Sequence, residues 1–319
     1  MIPPPNSITI TAEQARQTLA AIVRQQRPGQ SWNQVRGFIA ARHVRVNGDL
    51  CLDPARRLKE GETVEILARS APKLQAPETL VIRHLDEHLV VVEKPAGMNT
   101  VRHPAEREWT ERRRALSPTL DDLLLKAVVR REQKPARGRL RVVHRLDKET
   151  SGLVVFARSV PAERGLGAQF HAHTVERRYL AIVPGELEAQ TIESRLVRDR
   201  GDGRRGSTPL PYSGKKATTH VEVVERLPGF TLAACRLETG RTHQIRIHLA
   251  EAGHPVCGEK VYNRKHNQEA QPDDSGAPRL ALHAAILGFQ HPVTSQMLRW
   301  EMPLPADLEA FLDHLRRQQ

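Results

Sequence analysis

The chain has 319 residues, enough for one large domain and a small one, and 39% of them are hydrophobic. No apolar run approaches the roughly 18–20 residues that a membrane-spanning helix needs, and the N-terminal residues show no signal-peptide pattern. The three cysteines form no closely spaced pair, so neither a disulfide framework nor a zinc site is supported. We therefore expect a cytoplasmic protein without a metal, a cofactor or a membrane contact.

The formal net charge of +12 indicates a polyanionic partner, and this charge is concentrated in two segments. Residues 126–145 contain eight Lys or Arg and one Glu, and residues 197–216 contain six Lys or Arg and two Asp. The two segments therefore have net charges of +7 and +4, which together make up most of the net charge of the chain. Either run by itself is typical of a solvent-exposed loop. Together they favour phosphate contacts to a nucleic acid, which weaken as salt rises.

Residues 7–70 are predicted to form a small separate module. The spacing of its apolar residues predicts a helix over 12–24, and Ser31 is a suitable N-cap for a second helix that ends near residue 41. Asn47-Gly48 is a strong hairpin signal, and a further strand is predicted over 63–67.

The order of these elements resembles the alpha-L RNA-binding module of a ribosomal small-subunit protein, tyrosyl-tRNA synthetases and several RNA-modifying enzymes. The segments that carry the resemblance are 31–36, 43–48 and 58–64. The resemblance implies RNA binding, for which the candidate residues are Arg36, Arg42 and Arg45. A generic α+β capping domain is the alternative.

Residues 71–79 contain two prolines and no periodicity, which predicts a linker to a domain over 80–319. The strands predicted in this domain lie at 80–82, 89–92, 153–157, 179–183, 219–224 and 230–237. The predicted helices lie at 119–131, 161–173, 243–252 and 306–317. Because the first apolar strands are joined by short turns, we predict an α+β fold with a mixed, largely antiparallel sheet. Residues 264–278 are polar, which predicts a mobile loop.

The first of three polar clusters lies at residues 144–153, where Asp147 stands two residues after Arg145. Thr150-Ser151-Gly152 follows as a predicted turn, before an apolar run. An aspartate in this local context is more often a turn residue that accepts hydrogen bonds from backbone amides than a catalytic group.

The second cluster, residues 239–249, follows a Thr-Gly pair and continues into a predicted helix that Thr242 would cap. It brings Arg241, Gln244 and His248 within one or two turns of each other. The alternative is an amphipathic surface helix. The third cluster puts Tyr179 at the start of a predicted strand, a position typical of a core tyrosine.

In this order the three clusters resemble the RluA family of pseudouridine synthases, over roughly residues 80–305. The resemblance begins at residues 84–98, is most specific at 144–153, and ends at 239–248 and 253–258. An N-terminal alpha-L module is the arrangement of family members that act on large-subunit ribosomal RNA.

The resemblance implies a role for each of five residues. Asp147 would be the catalytic aspartate, and Arg246 the arginine that pairs with it. Tyr179 would pack on the target base and help to remove its proton. Arg145 would help to displace the target uridine from its stack, and Ile245 would line the pocket.

Further arginines are candidates for binding the substrate. Arg241 is close enough to the start of its helix to reach a carboxylate or a phosphate. In the two basic segments, the candidates for RNA binding are Arg130, Arg131, Arg137, Arg139, Arg204 and Arg205.

The predicted function is the isomerisation of specific uridines in large-subunit ribosomal RNA by a monomeric enzyme. A synthase that acts on transfer RNA, or on both RNAs, is the alternative within this class. From a different class, the chain could be a non-catalytic RNA-binding or ribosome-assembly factor. The set of Asp147, Tyr179 and Arg246 argues against that factor, because a pure RNA binder does not need an acid that faces phosphates.

Overall fold

The structure is a computed structural model that describes residues 7–71, 80–103, 106, 109–134, 139–263 and 273–318. The chain divides into two compact units, residues 1–75 and 76–319. Arg137, nearly all of the predicted linker 71–79 and most of the predicted loop 264–278 lie outside the described residues.

The first unit is a four-stranded antiparallel sheet with two helices. Its strands are β1 (Ser7–Thr9), β2 (Val44–Val46), β3 (Asp49–Leu50) and β4 (Thr63–Ile66), in the order β1-β4-β2-β3. Its helices are α1 (Leu19–Gln26) and α2 (Trp32–Ala40). One apolar core, which includes Leu19, Ile22, Val35, Ile39 and Val64, joins the helices to the sheet.

Local signals account for most of this unit. Ser31 caps α2 and shares a capping box with Gln34. Asn47 and Gly48 both have positive φ, 54° and 79°, as the tightest hairpin turn requires. The prediction of a helix from residue 12 was wrong, since α1 begins only after its N-cap at Thr18. Arg16, with a φ of 69°, interrupts any earlier helix.

The second unit is built on an eleven-stranded sheet within the described residues. Its strands are β5 (Ile82–Leu85), β6 (Leu89–Lys94), β7 (Arg141–Val142), β8 (Ser151–Ala157), β9 (Glu176–Pro184), β10 (Gln190–Val197), β11 (Gly206–Ser207), β12 (Lys215–Leu227), β13 (Phe230–Leu237), β14 (Leu282–Gln290) and β15 (Met297–Glu301). Its helices are α3 (Glu111–Leu116), α4 (Leu120–Glu132), α5 (Val160–His171), α6 (Gln244–Glu251) and α7 (Ala306–Arg316).

The main path of the sheet runs β11-β10-β12-β13-β9-β14-β8-β6-β5, with β15 beside β14 and β7 beside β8. Every pair is antiparallel except β8 with β14. The prediction of a mixed, largely antiparallel α+β fold is therefore confirmed.

Helices cover both faces of the sheet around β8. Val154 and Phe156 belong to the cluster that contains α4 and α7, whereas Leu153 and Val155 pack with α5. This two-sided burial explains why β8 is apolar throughout rather than alternating. Among the helices of the described chain, none is long and apolar enough to cross a membrane.

Gly152 makes the single parallel pairing sterically feasible. It lies opposite Ala284 of β14 with a φ of +126°, and an added Cβ would be 2.3 Å from the Ala284 carbonyl oxygen. Ser151 and Gly152 therefore belong to β8, and their prediction as a turn was wrong. A glycine is needed at this position because two strands approach each other closely, directly after the loop that contains Asp147.

We expect Gly152→Ala to destabilise the parallel pairing by about 3 kcal/mol, because it combines backbone strain with a clash that neither strand can relieve. Hydrogen exchange in peptides that span β8 and β14 measures this loss. Gly167→Ala is the matched control, since Gly167 lies in α5 and an added Cβ there meets nothing within 4 Å. That variant should gain about 0.5–1 kcal/mol. Equal protection of β8 in both variants would contradict this account of Gly152.

Candidate functional site

A cavity of about 580 Å³ lies where the loop before β8 faces β9 and the start of α6. We call it the central cavity. It brings together the three clusters that are separated in the sequence. The predicted site residues in its wall are Arg145, Asp147, Tyr179, Arg241, Ile245 and Arg246. His248, which the sequence grouped with them, instead lies fully buried and bonds to Ser194 and Thr219.

The loop that contains Asp147 is held from behind by two buried side chains. The Thr100 hydroxyl accepts a hydrogen bond from the Leu146 amide at 3.1 Å and donates one to the Leu146 carbonyl at 2.8 Å. Lys94 Nζ donates to the Lys148 carbonyl at 3.0 Å. The backbone on both sides of Asp147 is therefore fixed, which defines the position of its carboxylate.

Lys94 is completely buried, and its ammonium group also donates to the carbonyls of Pro95 and Met98. Burial lowers the pKa of Lys94 to about 7, while the charges of Glu149 and Asp147 oppose that shift. Three carbonyl acceptors match the three N–H groups of a protonated amine. Lys94 therefore ties the end of β6 to the Asp147 loop.

Asp147 faces a guanidinium whose orientation is set by another acid. Arg246 Nη1 lies 3.8 Å from Asp147 Oδ2. The Nε and Nη2 atoms of Arg246 donate to the two carboxylate oxygens of Glu259, at 2.7 and 2.6 Å. Burial alone would lower the pKa of Arg246, but the hydrogen bonds and charge of Glu259 raise it above its ordinary value. Arg246 is thus a fixed, permanent cation beside Asp147.

Glu259 also organises the segment that follows it. It is almost fully buried and accepts hydrogen bonds from the amides of Lys260, Val261 and Tyr262. These bonds bring the Tyr262 ring to 5.2 Å from the guanidinium carbon of Arg246. The cation is therefore held by a carboxylate on its edge and by an aromatic ring on its face.

His243 is the second neighbour of Asp147. Its Nε2 lies 3.8 Å from Asp147 Oδ1, and its Nδ1 lies 2.6 Å from the Tyr262 hydroxyl oxygen. Burial lowers the pKa of His243, which favours the neutral imidazole. His243, and not Thr242 as predicted, is the N-cap residue of α6, with a left-handed φ of 60°.

The Gln244 side chain fixes the turn before α6. Its Oε1 accepts from the Thr239 hydroxyl at 2.7 Å and from the Arg241 amide at 3.0 Å. Its Nε2 donates to the Thr218 carbonyl and to the Thr219 hydroxyl in β12. Gln244 to Leu249 are all buried, so α6 is not the surface helix that was the alternative.

Tyr179 projects from β9 into the central cavity and is 8% exposed. Burial raises the pKa of the Tyr179 hydroxyl, and the charge of Asp147 raises it further, although Arg177 lowers it. The hydroxyl therefore stays protonated at neutral pH. Ile245, also nearly buried, supplies an apolar part of the same wall.

A second cavity of about 510 Å³ adjoins the central cavity, because the two share Gly240, Arg241 and Thr242. We call it the basic groove. Its lining contains four cationic side chains and no carboxylate: Arg198, Arg205, Lys215 and Arg241. Arg204 from the same charged segment points elsewhere and donates to the Val261 carbonyl.

The other arginines predicted to bind RNA, so far as the structure describes them, are not part of either cavity wall. Arg130, Arg131 and Arg139 are exposed on and after α4. In the first unit, Arg36 is exposed, and Arg45 lies 3.6 Å from Glu65. Arg42 is buried and donates to the Ala71 carbonyl, so it contributes to packing within that unit.

Sequence reasoning missed several residues that build this site. They are Lys94, Thr100, Arg177, His243, Glu259 and Tyr262. A local signal existed for Glu259, an acid directly after Gly258 and close to the predicted helix. Nothing local shows that it contacts Arg246 rather than solvent.

Comparison with known proteins identifies the family. The family model "RNA pseudouridylate synthase" matches residues 88–251, about half of the chain, and the S4 domain model matches residues 17–64. The chain belongs to the RNA pseudouridylate synthase family. The predicted family resemblance is therefore confirmed for the second unit, and the RNA-binding module predicted in the first unit is an S4 domain.

Several members of this family are similar over most of their length. The chain is 36% identical to "Ribosomal large subunit pseudouridine synthase D" of Nitrosomonas europaea, over 91% of this chain and 81% of that protein. It is 34% identical to "Uncharacterized RNA pseudouridine synthase YlyB" of Bacillus subtilis, over 98% and 99%. The solved structure of "Human RNA Pseudouridylate Synthase Domain Containing 4" has a similar fold, with a TM-score of 0.59, 24% identity and coverage of 74% and 92%.

We expect Glu259→Gln to destabilise the segment 244–262 by about 3 kcal/mol and to slow uridine isomerisation. The change leaves the buried Arg246 cation without its counter-charge and frees it to move relative to Asp147. Hydrogen exchange and a single-turnover assay measure the two effects.

Glu188→Gln is the control for this variant. Glu188 forms an ion pair of the same type with Arg226 at 2.7 Å, but on the surface. Its loss should change stability by less than about 1 kcal/mol. Wild-type isomerisation by Glu259→Gln would show that Arg246 does not need this support.

Proposed function

We propose that this protein isomerises specific uridines in large-subunit ribosomal RNA to pseudouridine, with Asp147 acting on the ribose. The observation that carries the proposal is the Asp147 carboxylate in the central cavity, facing the fixed cation of Arg246. Membership of the pseudouridylate synthase family gives the reaction. Several relatives are named for large-subunit ribosomal RNA, and this supports the same substrate here.

The neighbours of Asp147 leave its two carboxylate oxygens available to a substrate. Arg246 and His243 approach one oxygen each, both at 3.8 Å, which is longer than a direct hydrogen bond. An ionised carboxylate can attack the ribose at C1′, or it can remove a proton at C2′. Both routes need the Asp147 carboxylate in contact with the ribose.

The reaction balances without a further reactant. The bond between ribose C1′ and uracil N1 breaks, and its electron pair stays with uracil. The base then rotates and forms a bond from C5 to C1′. The proton on C5 is lost and N1 gains one, so the product is an isomer of the substrate. We assign Tyr179 of the cavity wall to help remove the C5 proton. Its hydroxyl would take up that proton as it gives up its own, so the tyrosine stays neutral.

The target uridine has to leave its stack before it can enter the central cavity, which costs a few kcal/mol. Tyr179 and Ile245 offer an aromatic and an apolar surface to the displaced base, which offsets part of that cost. Arg145 is exposed at the cavity, where it can fill the vacated place in the RNA.

The RNA backbone follows the cationic surfaces around the cavity. The basic groove, with Arg205 and Arg241, adjoins the place of the target nucleotide. We also assign backbone contacts to Arg130, Arg131, Arg137 and Arg139, and to Arg36 and Arg45 of the S4 domain. Arg42 and Arg204, which the sequence also suggested, are bound to backbone carbonyls within the protein and are left out of this assignment. Such contacts increase affinity without reading sequence.

Mapping of pseudouridines in cells that lack the protein tests this proposal. We expect one or a few uridines of large-subunit ribosomal RNA to stay unmodified, and the purified protein to modify them in vitro. Loss of pseudouridine from transfer RNA instead would show that the substrate is wrong. An unchanged map would favour a non-catalytic RNA-binding factor.

Asp147→Asn should lower the single-turnover rate by at least about 10⁴-fold, because it removes the group that acts on the ribose. The dissociation constant for the same RNA should change less than about threefold, since the variant removes no cationic phosphate contact. Asp313→Asn is the control, because Asp313 is an exposed partner of Arg316 on α7. Equal rates for the two variants would exclude Asp147 from the reaction.

A further inference from the structure

Arg177 is a buried cation in the wall of the central cavity that the reaction described above does not use. It precedes Tyr179 by two residues on β9, so both side chains project from the same face of the strand. Only 6% of Arg177 is exposed. Its guanidinium carbon lies 5.5 Å from the centroid of the Phe170 ring, which is also part of the wall.

The hydrogen bonds of Arg177 leave its charge uncompensated. Nη2 donates to the carbonyls of Leu237 and Glu238, at 3.4 and 3.0 Å. Nε is buried and has no hydrogen-bond partner. In the described part of the chain, no carboxylate contributes to the electrostatic environment of Arg177 as Glu259 does for Arg246. A buried cation of this kind is costly unless an acceptor reaches it.

Gly240 leaves room for this guanidinium. A Cβ at position 240 would lie 2.8 Å from Arg177 Nη1, and the glycine has no left-handed φ that would explain its presence otherwise. The chain therefore keeps space around a cation for which the described residues supply no counter-charge. Both features indicate that the missing acceptor arrives with the ligand.

We propose that Arg177 is a further active-site group, which binds a carbonyl oxygen of the target uracil and stabilises the negative charge of the detached base. This inference rests on the proposed function. When the C1′–N1 bond breaks, the electron pair stays on uracil, and its charge spreads over N1, O2 and O4. Arg177 keeps all its protons throughout and acts only by electrostatic attraction and hydrogen bonding.

The burial of Arg177 favours the base over a phosphate as its ligand. Phosphates stay on the outside of the RNA strand, where the basic groove meets them. The base is the part of the nucleotide that enters the cavity. The Phe170 ring lies 5.5 Å from the Arg177 guanidinium carbon, and because Arg177 is almost fully buried, little water screens its charge.

The test uses the full-length protein and an RNA fragment that contains the mapped uridine. We expect Arg177→Gln to lower the single-turnover rate by about 100-fold, as loss of one preorganised donor does. The dissociation constant for the RNA should change less than about threefold, because the cationic surface is intact. Arg177→Lys keeps the charge and should recover part of the rate. Wild-type rates for Arg177→Gln would overturn the inference.

Sulfur substitution separates this role from a structural one. In two synthetic RNAs, sulfur replaces O2 or O4 of the target uracil, which weakens that atom as a hydrogen-bond acceptor. One replacement should slow the wild-type enzyme, and the same replacement should have no further effect on Arg177→Gln. If sulfur slows both enzymes by the same factor, Arg177 does not contact the base and the inference fails.

A third RNA tests the phosphate as the ligand, with an uncharged methylphosphonate beside the target uridine. If this change weakens binding to the wild type but not to Arg177→Gln, the ligand of Arg177 is a phosphate and the inference is wrong.

Gly240→Ala is a second variant in case Arg177→Gln does not fold, since the added methyl displaces the guanidinium but keeps its charge. It should reproduce the loss of rate. A wild-type enzyme that is inactive on the mapped RNA would refute the proposed function itself.

Discussion

The buried ion pair between Arg246 and Glu259 is the interaction on which the site depends. Two charges removed from water are costly, and only good geometry with further hydrogen bonds offsets the cost. Here both oxygens of Glu259 are used by Arg246, and three backbone amides add to them. The pair fixes two of the guanidinium nitrogens and leaves Nη1 directed at Asp147. Without Glu259, the Arg246 guanidinium would be free to move toward Asp147 and to form hydrogen bonds with its carboxylate oxygens.

The sheet supplies the other half of this arrangement. Asp147 lies in the loop before β8 and Tyr179 lies in β9, and β14 lies between these two strands and pairs with both. The parallel pairing with β8 depends on the missing side chain of Gly152. Lys94 and Thr100 then fix the loop from its inner side. Long-range pairing therefore determines the distance between the carboxylate and the tyrosine.

The parts that were predicted from sequence are those with a local cause. Phe230–Leu237 forms a strand at the predicted bounds, and Ser31 caps α2 as its sequence indicates. β14 was missed because it shows no alternation and, unlike β8, is interrupted by His283, two alanines and Gly288 rather than rich in β-branched residues. β10 was missed for the opposite reason, since it is mostly polar and partly exposed.

The same distinction applies to the site. The motifs around Asp147 and Arg246 are dense enough to be recognised in one sequence, but the partners of these residues are not. Glu259 meets Arg246 only because the chain reverses after α6, and no spacing rule selects it among 37 acidic residues. Arg177 was part of a visible Arg-Arg-Tyr segment. Its missing counter-charge is a property of the packed cavity and cannot be read from residue types.

The cationic residues of the chain divide into two groups by their exposure, and the division has a physical consequence. In the proposed function, exposed arginines such as Arg130 and Arg131 act on RNA through water, where salt screens charges beyond about 8 Å at physiological ionic strength. Arg177 and Arg246 are 6% and 7% exposed, so salt screens them far less. The exposed arginines are suited to bind a long polyanion at any position along its length. The second group can act only on a nucleotide that has entered the cavity, which confines the chemistry to a base that is already displaced.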